Sequence, residues 1–261
     1  MNPKLMGVVN VTPDSFSDGG QYLDPAAAIR HGEELLSDGA SILDVGGEST
    51  RPGAVEVDEA EELRRVEPVV QALAGDATVS IDTSKLAVAE AALDAGASIV
   101  NDVSALTRDP EMASLCAERG VGVVLMHMPG NPRTMQDDPR YDDVVEDVKA
   151  FLVERMEFAL AEGIDEGRIW LDPGIGFGKT LEHNLELLRR LRELRELGRP
   201  LVIGTSRKSF IGKVDGSEVE DRLGGSIATS VLAAAEGAEV LRVHDVAEMA
   251  QALAVTNAVL G

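Results

Sequence analysis

Residues 41–53 read Ser41-Ile42-Leu43-Asp44-Val45-Gly46-Gly47-Glu48-Ser49-Thr50-Arg51-Pro52-Gly53. A short apolar run, suited to a buried strand, stops at a charged residue, and turn-forming residues then lead into a helical stretch. The same phrase recurs along the chain. Apolar runs stop at Asn10, Asp82, Asn101, His127, Asp172, Lys208 and His244, and each is followed by a helical pattern. Eight strand-then-helix units are the signature of an α/β chain closed into a single (β/α)8 TIM barrel, which gathers all its strand ends at one mouth. On that fold two Asn, several carboxylates, two His and a set of Arg and Lys converge on one cavity.

The pattern predicts strands over 5–9, 41–45, 78–81, 98–100, 122–126, 168–171, 200–203 and 240–243. Helices are expected over 25–37, 58–73, 85–94, 110–118, 142–162, 181–197, 223–235 and 246–260. Asp24 and Pro25 form a capped start for the first helix. The small, apolar residues of 223–235 predict a well-buried helix. Connections 10–23, 46–57 and the one after the seventh strand exceed the usual βα length of about 2–6 residues. All three lie on the mouth side, where long loops commonly contact ligands.

The bulk properties agree with one domain. The chain has 261 residues, close to the roughly 250 of a single barrel, with no linker-like stretch, so 1–261 reads as one domain. No run is long and apolar enough for a membrane span, and the start lacks the layout of a signal peptide. A single cysteine, Cys116, excludes an internal disulfide; a cytoplasmic protein is expected. Forty-six acidic against 24 basic side chains give a net charge of −22, which excludes nucleic acid as a partner because a phosphate backbone needs a basic stripe. Acidic excess with little Lys suits a salt-rich cytoplasm, where screening removes self-repulsion; an ordinary acidic surface has the same composition.

Each constellation has a functional and a plain reading. Asn10, at a strand end, offers a hard amide oxygen suited to Mg2+, or is a turn residue. Arg51 can bind an anion or stack on a ring, or form a surface ion pair. Asp82, Asn101, Asp172 and Lys208, at four strand ends, fit a flat heterocycle with N–H groups on one edge and a carbonyl on another; an edge with two N–H groups can pair with one carboxylate. Ser206-Arg207-Lys208-Ser209 and Arg242-Val243-His244 place cations after the last two strands, where barrels often hold phosphate, unless nearby acids pair with them. Gly174-Ile175-Gly176-Phe177-Gly178-Lys179-Thr180 ends like a phosphate-binding loop, but Pro173 stands where the first Gly must be. His31 and His183 fall on helical segments and are expected to be exposed.

At nearly full length the chain resembles the dihydropteroate synthase family. The matching blocks are 10–20, 44–53, 81–85, Asn101-Asp102, 126–129 with Asn131-Pro132, 172–179, 206–209 and 242–245. The resemblance implies a transferase of folate biosynthesis that joins 4-aminobenzoate to 6-hydroxymethyl-7,8-dihydropterin diphosphate, giving 7,8-dihydropteroate and diphosphate. It implies a pterin site of Asp82, Asn101, Asp172 and Lys208, and a diphosphate site of Asn10, Arg242 and His244, with Asn10 helping to hold Mg2+. The aminobenzoate site would comprise Phe16, Thr50, Arg51, Pro52, Phe177 and Ser209, with the substrate's carboxylate near Ser209. Catalysis would fall to Asp82, Lys208, Arg242 and His244. Partners would be these small molecules and a second copy of the chain, since members are usually homodimers. Pterin-dependent methyltransferases share the barrel but have no need of the first-loop block or the cationic pair of motifs, and a non-catalytic pterin binder could lose the diphosphate residues.

Overall fold

The computed structural model describes residues 2–12, 25–51 and 53–261. Among them the strands and helices alternate as β1 (Lys4–Asn10), α1 (Pro25–Ser37), β2 (Ile42–Gly46), α2 (Glu59–Leu73), β3 (Thr78–Asp82), α3 (Leu86–Asp94), β4 (Ile99–Asp102), α4 (Glu111–Arg119), β5 (Gly122–Met126), α5 (Val144–Ala161) and β6 (Ile169–Asp172). There follow α6 (Leu181–Arg189), α7 (Leu191–Arg195), β7 (Val202–Ile203), α8 (Ser209–Asp215), α9 (Leu223–Ala235), β8 (Val240–Val243) and α10 (Val246–Leu260). All strand pairs are parallel, in the order β6-β5-β4-β3-β2-β1-β8-β7. A parallel bridge from Leu171 to Leu201 joins the two outer strands and closes the ring. This is the TIM barrel that the alternating pattern predicts.

Successive side chains on a strand point to opposite faces, so each barrel strand feeds two environments. The outward set packs against the helices in one large apolar cluster that includes Leu43, Val45, Ile81, Val100, Leu125, Leu171 and Leu241. The inward set makes a smaller core of Met6, Ile42, Ile99, Val124, Val202 and Val240, with Trp170 packed on it. The Lys4 ammonium lies 5.8 Å from the centre of the Trp170 ring. Two residues further along, on the same inward face, stand Asp44, Asn101, Asp172 and Arg242. The interior is therefore layered, apolar below and polar at the mouth.

Local signals set several boundaries. The Asp58 side chain accepts from the Ala60 N–H at the start of α2, and that of Asp143 from Val145 and Glu146 at the start of α5. Thr180 and His183 form a reciprocal capping box on α6, which leaves two fewer unpaired groups at that terminus. His31 and His183 are half-buried rather than exposed, His183 because its ring takes part in that cap.

Three further expectations need correction. The predicted 181–197 helix is two, broken at Arg190 (φ −111°, ψ 25°), whose guanidinium bonds to Asp143 and Glu193. The connection after the seventh strand contains α8. Finally, α9 buries Ser226, Ser230, Ala233 and Ala234 but exposes 63% of Leu232; only one of its faces packs on the barrel.

Candidate active site

The polar upper layer is a network knit across four strands. The buried Asp44 carboxylate uses one oxygen, Oδ2, to accept from Arg242 Nε at 2.6 Å and from Asn101 Nδ2 at 3.0 Å. Arg242 Nη2 donates to Asp82 Oδ2 at 2.8 Å. The register explains the meeting, since Asp44 lies beside Ser80 and Asp82 beside Asn101 in neighbouring strands. Asp44 Oδ1, Ser80 Oγ and Asp82 Oδ1 are buried with no hydrogen-bond partner among the described residues. Such groups cost about 1–3 kcal/mol each when left unsatisfied, which a ligand or ordered water would recover.

Electrostatics follow from enclosure. Burial raises the Asp82 carboxyl to about 7, against the pull of Arg242 and with a further push from Asp44. Burial opposes the charge of Arg242, yet Asp44 and Asp82 outweigh it and hold its pKa above the ordinary value. Asp172 is likewise raised by burial, offset in part by the Gly174 N–H, which donates to its Oδ1 at 2.7 Å.

Lys208 follows β7 at the N-cap position of α8, where its backbone carbonyl accepts from the Ile211 N–H. Its ammonium stands 4.0 Å from the centre of the Phe177 ring. Solvent reaches part of the side chain, but protein surrounds its tip, and its pKa drops to about 7, first through burial and then through Arg242, with Asp172 and Asp82 opposing. Asp172 and Lys208 thus act on one another at a single rim.

Beside them, burial, then Arg242, Arg207, Arg51 and Lys208, keep the His244 imidazole neutral, its pKa lowered to about 3. The Ser206 hydroxyl accepts from the His244 backbone N–H at 3.2 Å and lies 3.1 Å from Nδ1. Both contacts are satisfied when that hydroxyl donates to Nδ1, which places the ring proton on Nε2 as a donor. Arg207, at φ 55°, is held by Asp245.

Of the remaining predicted residues, Asn10 ends β1 opposite Gly46. Thr50 and Arg51 lie half-buried in the connection after β2, and the charge of Arg51 reaches both His244 and Lys208. Ser209 opens α8 and is exposed. Phe16 and Pro52 lie outside the described residues.

His127 does not join the cavity. It follows the inward Met126 and so faces outward, where its ring packs edge-on to Phe151 with centroids 4.9 Å apart. There it meets a residue whose environment was not anticipated. Lys179, only 1% exposed, has its Nζ 3.0 Å from His127 Nδ1 and donates to the Phe177 carbonyl at 2.9 Å. Burial lowers its pKa to about 7 and that of His127 to about 3. The pair supports the 173–180 turn from behind. Gly174 (φ 68°) is required there, because a Cβ would sit 2.0 Å from the His127 carbonyl oxygen. Asp44 ends the second apolar run in the sequence reading, which gave it no ligand role; the structure shows it holding Arg242 and Asn101.

Known proteins with this fold and site decide the family. The sequence model of the "Pterin binding enzyme" family matches residues 6–244. The dihydropteroate synthase of Escherichia coli (strain K12) is 47% identical over 261 residues, covering 99% of this chain and 92% of that protein. The chain belongs to the dihydropteroate synthase family. The Mycobacterium leprae dihydropteroate synthase is 49% identical over 98% of this chain and 93% of its own length. Among solved structures, Xanthomonas albilineans dihydropteroate synthase with 4-aminobenzoic acid superimposes with a TM-score of 0.93 at 51% identity, covering 100% of this chain and 94% of that one. The Yersinia pestis dihydropteroate synthase in a sulfonamide drug complex gives 0.95 at 46%, covering 99% and 94%. The activity is that of the dihydropteroate synthase family, and the enzyme is a transferase of folate biosynthesis.

Proposed function

We propose that the upper layer of the barrel seats 6-hydroxymethyl-7,8-dihydropterin diphosphate and that 4-aminobenzoate attacks its methylene carbon from the loop side, releasing diphosphate. The carrying observation is the Asp82 carboxylate, which holds Arg242 with one oxygen while the other is buried and unpartnered. A heterocycle edge rich in N–H groups satisfies that oxygen. Asp172 retains Oδ2 for the amino-pyrimidine edge, Asn101 is aimed by Asp44, and Lys208 donates to the ring carbonyl.

As the C–O bond breaks, positive charge grows on the pterin and negative charge on the leaving group. Asp82 and Asp172 stabilise the first in a site of low polarity. His244, donating from Nε2, and Arg242 stabilise the second. Two nitrogens of Arg242 are engaged by Asp44 and Asp82, so it serves both ends, anchored on the pterin side while its charge faces the diphosphate. The aryl amine is a weak nucleophile, and the half-formed cation needs shelter from water; Phe177 and the 46–57 connection provide it. Ser209 and Arg51 receive the carboxylate of 4-aminobenzoate, Thr50 and Phe177 belong to the same subsite, and the resemblance adds Phe16 and Pro52, which lie outside the described residues.

Mg2+ fits as a companion of the substrate. Among the described residues no group of three or more His, Cys, Asp or Glu is arranged to hold a metal. Asn10 supplies one hard oxygen, and Mg2+ characteristically takes one or two protein ligands and completes its shell with phosphate oxygens and water. When bound, the ion adds positive charge where the diphosphate departs.

A homodimer fits the exposed apolar side chains of Leu232 on α9 and Val255, Val259 and Leu260 on α10, two helices that lie side by side. Sedimentation of the purified protein tests it, with twice the chain mass expected. The reaction is tested by mixing protein, pterin diphosphate and Mg2+ with and without 4-aminobenzoate. Diphosphate release that depends on 4-aminobenzoate is expected; release at the same rate without it would overturn the proposed reaction.

A further inference from the structure

Lys85 lies between β3 and α3, 7% exposed. Its ammonium donates to a carboxylate oxygen of Glu48, to one of Glu62, and to the Val57 carbonyl at 2.7 Å. Three N–H groups meet three acceptors, so the cation is fully used. Two of those acceptors, Glu48 and Val57, are the two ends of one mouth connection. The third belongs to α2, where the Thr83 hydroxyl donates to the other Glu62 oxygen at 2.8 Å. One buried ammonium therefore ties both roots of the 48–57 arm to the barrel wall.

Independent contacts hold the same arm. Arg65 Nη1 donates to the Gly47 carbonyl at 2.9 Å. Gly47 lies so close to α2 that a Cβ would come within 2.8 Å of Val66 Cγ1 and 2.9 Å of Glu62 Cγ. Further out, the Gly53 N–H donates to the Pro132 carbonyl at 3.3 Å, and Glu56 pairs with Arg108. Between the pinned roots the arm carries Thr50 and Arg51, and the Arg51 charge reaches Lys208 and His244. A free ten-residue connection would lose conformational entropy each time a substrate bound against it; tying its ends in advance removes part of that cost.

We propose that Lys85 is a positioning residue for the second substrate: by clasping Glu48 and Val57 it holds the Thr50–Arg51 arm at the mouth and sets the affinity for 4-aminobenzoate without setting that for the pterin. This rests on the assignment of 4-aminobenzoate to the arm. The partner to vary is Glu48, because Glu48→Ala leaves the Lys85–Glu62 pair, the Thr83 bond and the Arg65 bond in place, whereas Lys85→Met strands two carboxylates. For Glu48→Ala the KM for 4-aminobenzoate rises at least fivefold, while the KM for the pterin diphosphate stays within twofold. Amide hydrogen exchange over 47–57 quickens with the melting temperature little changed, and Glu48→Gln, which keeps an acceptor for Lys85, restores most of the lost affinity. An unchanged KM for 4-aminobenzoate with unchanged exchange overturns the clasp. Both KM values rising together with a fall in melting temperature would show a merely structural ion pair. If the wild-type protein releases diphosphate without needing 4-aminobenzoate, the assignment of the arm's ligand fails instead, and the exchange data alone judge the clasp.

Discussion

The lower and upper layers of the barrel interior are built by the same strands, two residues apart, and share almost nothing chemically. Below, Met6, Ile42, Ile99, Val124, Val202 and Val240 fill the space with hydrocarbon. Above, Asp44, Asp82, Asn101 and Arg242 fill it with a hydrogen-bonded network that, among the described residues, leaves three polar atoms unpartnered, counting Ser80 Oγ among them. The lower layer is complete without a ligand; the upper one is not. A strand thus holds stability and function in adjacent turns of its pleat, and substitutions two residues apart should separate the two.

The largest effects belong to the upper layer. Lys208→Ala and Asp172→Ala are each expected to lower turnover at least tenfold, read in steady-state diphosphate release, with melting temperatures near wild type. Kinetics within twofold of wild type for either would erase the functional side of the contrast. Asp44→Ala tests the join between the layers. It strips Arg242 and Asn101 of a common buried partner, and breaking a buried ion pair costs about 3–5 kcal/mol. Denaturant unfolding should show that loss together with a fall in kcat/KM; loss of only one would separate the network's two roles.

In the lower layer, Ile42→Ala removes packed hydrocarbon and should cost about 2–5 kcal/mol of stability, with kcat/KM at 25 °C kept within threefold. A smaller effect concerns pH. Asp82, raised to about 7, is ionised only above that pH, and Lys208, lowered to about 7, is protonated only below it. The reaction as proposed needs the carboxylate and the ammonium together, so kcat/KM falls on both sides of neutrality in a narrow bell. Lys208→Arg, whose guanidinium stays charged, is expected to move the alkaline limb upward. A flat profile from pH 5.5 to 8.5 would contradict this pairing. The smallest effect is on the outer surface: if the net charge of −22 reflects a salt-rich setting, the melting temperature climbs from low to molar KCl.

Much of this was legible in the sequence because a barrel repeats one local rule. Asp82, Asn101, Asp172 and His244 each end an apolar run, and the fold has one place to put such ends. Parity was harder to read. His127 also ends a run, but it follows an inward residue and so faces the helices. Asp44 also ends an apolar run, but only its hydrogen bonds show that it steers Asn101 and Arg242. The break at Arg190 and the clasp at Lys85 were out of reach for another reason. Both involve ion pairs between residues far apart in the chain, 47 positions for Arg190 and Asp143 and 37 for Lys85 and Glu48, and periodicity carries no record of such partners.

The central claim is that the carboxylates of the upper layer form the pterin's seat. Calorimetric titration of 6-hydroxymethyl-7,8-dihydropterin diphosphate, in Mg2+ and without 4-aminobenzoate, addresses it most directly when wild type, Asp82→Asn and Asp172→Asn are compared with Ile42→Val. The expected result is at least a tenfold loss of affinity in both Asn variants and none in Ile42→Val. Equal affinity across all four proteins would contradict the claim.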